Sequence, residues 1–301
     1  MQTGFADVIA SGRFALTSEI TPPLSVDPQA LIDKVIPLKG LADAVNVTDG
    51  ASARATMDPL AASALMMQAG VEPICQFTCR DRNRIALQGS LVGAAALGVR
   101  AFLLLTGDDP TKGDQPETKA VFDVNSNQLI ETVQMISGGK LPSGREIAGS
   151  VKLIAGCADA PIDPTDGWEP KALLAKISAG AQFAQTQFCM DADVIRRYIA
   201  RLRDCGVPQN FPLLVGVAPL ASAKSARWIV DNLYGSIIPP ALIDRIETAE
   251  DQRGEGRAIA VELIRELAEI DGVGGVHIMA PLNEKAVPQL IEDARVALAK
   301  G

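Results

Sequence analysis

Short runs of aliphatic and β-branched residues alternate along this chain with longer stretches in which apolar positions recur every three to four residues. The first kind reads as strands and the second as amphipathic helices, the pattern of a parallel sheet whose strands are joined by crossover helices. Strands are predicted over residues 14–19, 44–47, 72–77, 101–105, 150–155, 183–187, 212–215 and 275–278. Helices are predicted over 28–38, 59–69, 82–97, 126–137, 168–179, 192–204, 223–233 and 283–299. Two further helices, over 239–246 and 255–270, are read as insertions before the last strand. Asp58-Pro59 supplies an N-cap and a first-turn proline, and Gly70, Gly98 and Gly206 stand where helices stop. Eight strand–helix repeats without a GxGxxG after an early strand favour a single (β/α)8 TIM barrel over an open dinucleotide-binding sheet. The expectation is one catalytic domain over residues 1–301.

Composition narrows the chemistry. With 28 Lys and Arg against 36 Asp and Glu, the net charge of −8 opposes a phosphate backbone, so nucleic acid is not an expected partner. No apolar run is long enough to span a bilayer, and the first seven residues lack a basic and apolar leader, so neither a membrane partner nor export is expected and a cytoplasmic location is. Five cysteines without CxxC spacing and a lone histidine, His277, argue against a structural metal site, a disulfide framework or an imidazole relay. Catalysis is thereby pushed toward carboxylates and a cofactor.

Barrel active sites collect at the C-terminal ends of the strands. Glu19 ends the first predicted strand and Asp108 follows the fourth. A carboxyl in a partly desolvated mouth has its charged form disfavoured and can serve as a general acid; a rim ion pair is the equal alternative. Asp108, in Thr106-Gly107-Asp108-Asp109-Pro110, can face a flat ligand past Gly107 or simply form an Asp-Pro turn.

Four segments decide between these readings: Ser18-Glu19-Ile20-Thr21-Pro22-Pro23, Asn46-Val47-Thr48-Asp49-Gly50, Leu105-Thr106-Gly107-Asp108-Asp109-Pro110, and Lys176-Ile177-Ser178-Ala179-Gly180-Ala181 leading to Thr186-Gln187-Phe188. In that order and on those strands, the chain resembles the methylenetetrahydrofolate reductase family in its short catalytic form. The resemblance implies a flavoprotein oxidoreductase of one-carbon metabolism and methionine biosynthesis. In that scheme FAD is reduced by NAD(P)H and reoxidised by 5,10-methylenetetrahydrofolate in a ping-pong cycle. It gives Glu19 the part of general acid and Asp108 that of an acid beside flavin and folate, with Gln187 a third substrate contact. Thr48, Gln76, Leu105, Thr106, Gly107, Asp108 and Lys176 are then the cofactor contacts, and no metal is implied. The chain departs from many members in having Thr106 for an arginine, Gln76 for a histidine and Ala175 for an arginine.

Partners implied are the tetrahydrofolate substrate, NAD(P)H and further copies of the chain in a homo-oligomer. The segment from Lys119 to Ser126 resembles a bacterial branch in which some members take electrons through a partner protein. Two other readings stand beside the reductase: a folate-dependent barrel methyltransferase without flavin, and a flavin- or folate-binding subunit of a larger redox assembly.

Overall fold

The computed structural model describes residues 4–281 and 283–299; the extreme N-terminus, read above for the lack of a leader, lies outside them at residues 1–3. Eight parallel strands close on themselves in sequence order. They are β1 (Ala15–Ile20), β2 (Ala44–Val47), β3 (Pro73–Thr78), β4 (Ala101–Leu105), β5 (Ile154–Asp159), β6 (Phe183–Phe188), β7 (Leu213–Val217) and β8 (Val273–Ile278). The ladder closes where β1 pairs with β8, from Ala15 opposite Gly275 to Ser18 opposite Ile278. The (β/α)8 barrel is therefore observed as expected.

The helices are α1 (Phe5–Ser11), α2 (Gln29–Val35), α3 (Pro59–Ala69), α4 (Arg84–Leu97), α5 (Ser126–Ser137), α6 (Lys171–Ser178), α7 (Ala192–Asp204), α8 (Ala223–Asn232), α9 (Pro240–Thr248), α10 (Gln252–Ala268) and α11 (Val287–Leu298). Local chemistry starts and stops them. Asp58 accepts from the Leu60 and Ala61 amides ahead of Pro59, and Asn125 and Gln128 form a reciprocal capping box on α5. Both inserted helices, α9 and α10, lie before β8.

Two differences from the sequence reading matter. The fifth strand runs four residues further than its predicted end: its ladder with β4 begins at Ala101 opposite Ile154, so its upper end is Asp159 rather than the neighbourhood of Gly156. Gly156 instead lies mid-strand, where a Cβ would fall 2.2 Å from the Phe183 ring. The second difference is α1, which the sequence reading omitted. Its Phe5 and Val8, both fully buried, join Ala15, Ala44, Ile74, Ala101, Ile154, Phe183 and Leu214 in a cluster inside the barrel, distinct from the larger sleeve between strands and helices. Phe5 meets Phe183 edge to face at 5.3 Å. The N-terminal end of the barrel is thus stoppered with apolar side chains.

Candidate active site

Because strand side chains alternate, positions two apart along a strand share a face. Above the apolar stopper this rule stacks a second, polar layer: Thr17, Asn46, Gln185 and His277, each at most 3% exposed. The two amides pair reciprocally, with Asn46 Nδ2 donating to Gln185 Oε1 at 2.6 Å and Gln185 Nε2 donating to Asn46 Oδ1 at 3.0 Å. His277 Nδ1 lies 3.2 Å from Gln185 Nε2 and 3.1 Å from Thr17 Oγ1. A buried polar layer is tolerable only when its members satisfy one another, as these do.

Glu19 is the next inward residue of β1. Gln76 of β3 donates its Nε2–H to Glu19 Oε2 at 2.8 Å, and His277 Nε2 faces the same oxygen at 3.7 Å. Glu19 lines a cavity of roughly 370 Å3, within the about 300–1,000 Å3 usual for small-molecule sites. Thr48, Gln76, Leu105, Thr106, Gly107, Asp108 and Lys176 line the same cavity. Every residue that the sequence reading named for catalysis or cofactor contact is therefore brought to one place.

The lining has distinct chemical parts. Lys176 reaches across from α6 to donate to the Ala158 carbonyl at 2.7 Å, which fixes its ammonium at the cavity wall. Among the described residues Thr48 Oγ1 is buried without a hydrogen-bond partner, a cost that a ligand acceptor or donor would remove. Gly107 adopts φ +98°, and a Cβ there would fall 2.9 Å from Arg80 Cβ, so both backbone and packing require glycine. Asp108 is exposed and accepts from the Ser52 amide at 2.8 Å. That amide belongs to a left-handed turn in which Gly50, Ser52 and Ala53 all have positive φ.

Gln187 stands apart. A register shift between β6 and β7 falls at Gln185–Phe188, and Thr186 Oγ1 enters the ladder as acceptor of the Gly216 amide at 2.9 Å. Bulges of this kind re-aim a side chain. Gln187 turns toward the segment after α8, donating to the Tyr234 carbonyl at 3.3 Å and accepting from the Phe188 amide at 3.0 Å. It does not line the cavity that Glu19 and Asp108 share.

Sequence reasoning read His277 as a hydrogen-bonded core or rim histidine but missed its partners Thr17, Asn46 and Gln185, and one ion pair. Asp49 accepts from the Thr78 amide and hydroxyl and from both terminal nitrogens of Arg82, at 2.8 and 3.2 Å. It borders both the Glu19 cavity and a neighbouring one of about 330 Å3. The period-two rule could have found Thr17, Asn46 and Gln185, each two positions before a residue already singled out. Burial pushes the thiols of Cys75, Cys157 and Cys189 up to about 12, so they are poor nucleophiles. Among the described residues, no group of three or more His, Cys, Asp or Glu is placed to hold a metal ion, and no helix is long and apolar enough to cross a membrane.

Comparison with known proteins adds a second line of argument. A family model described as methylenetetrahydrofolate reductase matches residues 5–295. A probable methylenetetrahydrofolate reductase (NADPH) of Caenorhabditis elegans is 25% identical over 239 residues, covering 77% of this chain and 33% of that protein. Methylenetetrahydrofolate reductase 1 of Schizosaccharomyces pombe is 25% identical over 283 residues, 90% of this chain and 44% of its own length. The chain thus spans less than half the length of these curated relatives. Among solved structures, an uncharacterized protein from Clostridium thermocellum that binds two copies of 5-methyl-5,6,7,8-tetrahydrofolic acid superposes with a TM-score of 0.65 at 14% identity, over 97% of this chain and 99% of its own. DmoA from Hyphomicrobium sulfonivorans gives 0.62 at 10% identity, over 93% and 86%. Likeness at these identities is a likeness of fold.

Proposed function

Because the chain belongs to the methylenetetrahydrofolate reductase family, we propose that it reduces 5,10-methylenetetrahydrofolate to 5-methyltetrahydrofolate with electrons from NAD(P)H, the whole chain acting as one catalytic domain. The observation that carries this reading is the convergence of Glu19, Asp108 and the partnerless Thr48 hydroxyl on one cavity at the C-terminal face of the barrel. The folate-binding fold neighbour supports the choice of substrate class.

The residues fit a flavin. Thr48 Oγ1 has hydrogen-bonding capacity to give, Lys176 is a fixed point charge suited to a phosphate, and Leu105 with Gly107 presents backbone and an apolar side chain between them. Thr48, Gln76, Leu105, Thr106, Gly107, Asp108 and Lys176 would hold FAD, whose chemistry is to store the two electrons of a hydride between one substrate and the next.

The protein's own part is protonic and electrostatic. Overall the reaction consumes one hydride equivalent and one proton, and opening the folate's five-membered ring requires that a ring nitrogen be protonated as its bond to the bridging carbon breaks. Glu19 supplies that proton. Asp108 places negative charge at the cavity rim, where it favours the cationic carbon centre that ring opening creates. Gln187 stands beyond the cavity wall and would reach the substrate's outer part, where an amide can both donate and accept.

The test is a half-reaction split. Purified protein should carry or take up a flavin absorption band that bleaches anaerobically with NADH or NADPH and returns on adding methylenetetrahydrofolate. Glu19→Gln should still bleach but lose folate reduction by about 10²–10⁴-fold, the range of a positioned general acid. A variant that reduced folate at the parental rate would remove Glu19 from this role. A protein that bound folate yet could not be loaded with flavin would favour the methyltransferase reading.

A further inference from the structure

The polar layer beneath Glu19 meets one of its two carboxyl oxygens, Oε2. We propose that His277 is a positioning residue for Glu19: with a hydrogen on Nε2, it joins Gln76 in occupying Oε2, so that the transferable proton is carried on Oε1, toward the cavity. The inference rests on the general-acid reading of Glu19 and deepens it.

Two independent constraints set the tautomer. From below, Nδ1 faces the Gln185 amino group at 3.2 Å; the Thr17 hydroxyl, 3.1 Å away, has the Val276 carbonyl as its own acceptor at 3.2 Å. Gln185 Nε2 uses one N–H on Asn46 Oδ1 and keeps a second for this corner, where His277 Nδ1 at 3.2 Å and Thr17 Oγ1 at 3.3 Å both lie within its reach. An imidazole nitrogen facing an amino group is the unprotonated one. From above, Nε2 faces Glu19 Oε2, an oxygen that already accepts from Gln76 at 2.8 Å. A lone pair on Nε2 would oppose the lone pairs of that oxygen, whereas an N–H turns its positive end toward it. Both constraints place the hydrogen on Nε2.

The two carboxyl oxygens of Glu19 are thereby made unequal. Oε2 is met by two N–H groups, one hydrogen-bonded and one at 3.7 Å. Among the described residues Oε1 has no hydrogen-bond partner, and it does not number among the buried unsatisfied atoms, so it opens on the cavity that Glu19 lines. In the acid form the hydrogen belongs on Oε1, because on Oε2 it would confront two donors. When Oε1 gives its proton to the ring nitrogen of the substrate, the charge left behind is shared with Oε2, toward which both N–H dipoles already point. No side chain has to reorganise during the transfer, which is where preorganised donors gain their effect.

The chain contains one histidine, so a single imidazole signal reports on this arrangement. Full-length protein carrying 15N-histidine, with no histidine tag, should show the Nε2–H tautomer at neutral pH. In Glu19→Gln its Nε2 resonance should move while Nδ1 stays. An Nδ1–H tautomer, or an Nε2 signal indifferent to the Glu19 change, overturns the proposal. Neither measurement needs flavin or folate.

In turnover, His277→Leu should lower kcat for folate reduction by about 10- to 100-fold, a part of what a positioned acid contributes, with the KM for folate little altered. His277→Gln, which restores an N–H, should recover much of it. A Leu variant with parental kcat overturns the proposal, and if that variant fails to fold the resonance measurements on the parental chain decide. Failure of the parental protein to reduce methylenetetrahydrofolate would instead sink the reductase reading, and the tautomer result would still stand or fall by itself.

Discussion

Asp108 and Asp159 are both carboxylates at strand ends, and their surroundings give them opposite duties. Asp108 is exposed, and its one protein hydrogen bond, from the Ser52 amide, is a bond that an asparagine oxygen could equally accept. Asp108→Asn therefore removes charge with little change in structure. Folate turnover should fall on the order of 10²-fold, as when one transition-state electrostatic contact is lost, and by more than the flavin affinity read by titration. Asp159 is turned outward, between α6 and α7, where the Tyr198 hydroxyl donates to it at 2.7 Å. Burial raises its carboxyl above the usual value, against the lowering effect of that hydroxyl and of Lys176. A carboxyl raised in the folded state stabilises the fold most below its unfolded value and loses that contribution as pH climbs through the folded one. Asp159→Asn keeps an acceptor for Tyr198 and cannot ionise. Its Tm should rise relative to the parental chain as pH goes from about 4 to about 7; a difference constant across that window would contradict the shift.

Among the elements, α1 carries the most testable consequence. Phe5 fills the N-terminal end of the barrel against Phe183, and Phe5→Ala should cost about 3–5 kcal/mol, as emptying a buried aromatic site does. Urea unfolding followed by tryptophan fluorescence would measure it. The elements also show what was legible in the sequence. Seven of the eight strands declared themselves through short apolar runs, and Glu19, Thr48, Gln76 and Asp108 fell at the cavity because strand ends do. The fifth strand was misplaced because Val151, Leu153 and Ile154 look more strand-like than Gly156-Cys157-Ala158, small residues whose pairing is imposed by β4 and β6 rather than by their own preference. Helix α1 was missed since seven residues are too few for a propensity signal, and its two buried side chains find their partners only once the barrel has closed. Gln187 was placed on the right strand, but the bulge that turns it arises from the Thr186 hydroxyl entering the ladder, a tertiary event that leaves no mark on the periodicity.

For the whole molecule, the cavity wall is built from several strands and from α6, so a bound cofactor ties together parts of the chain distant in sequence. A ligand that binds the folded state alone stabilises it by about 2.7 kcal/mol at a hundredfold excess over Kd. Tm should accordingly climb with FAD concentration; an unchanged Tm at saturating FAD would count against the assigned flavin contacts.

The aromatic stopper formed by Phe5 and Phe183 has a consequence for traffic. With that end sealed among the described residues, the cavity is a cul-de-sac entered from the rim that bears Asp108 and Lys176. On the proposed reading, a donor of electrons would have to back out along the path by which it came before the folate could take its place, so strict alternation of visitors would follow from the architecture as much as from the chemistry.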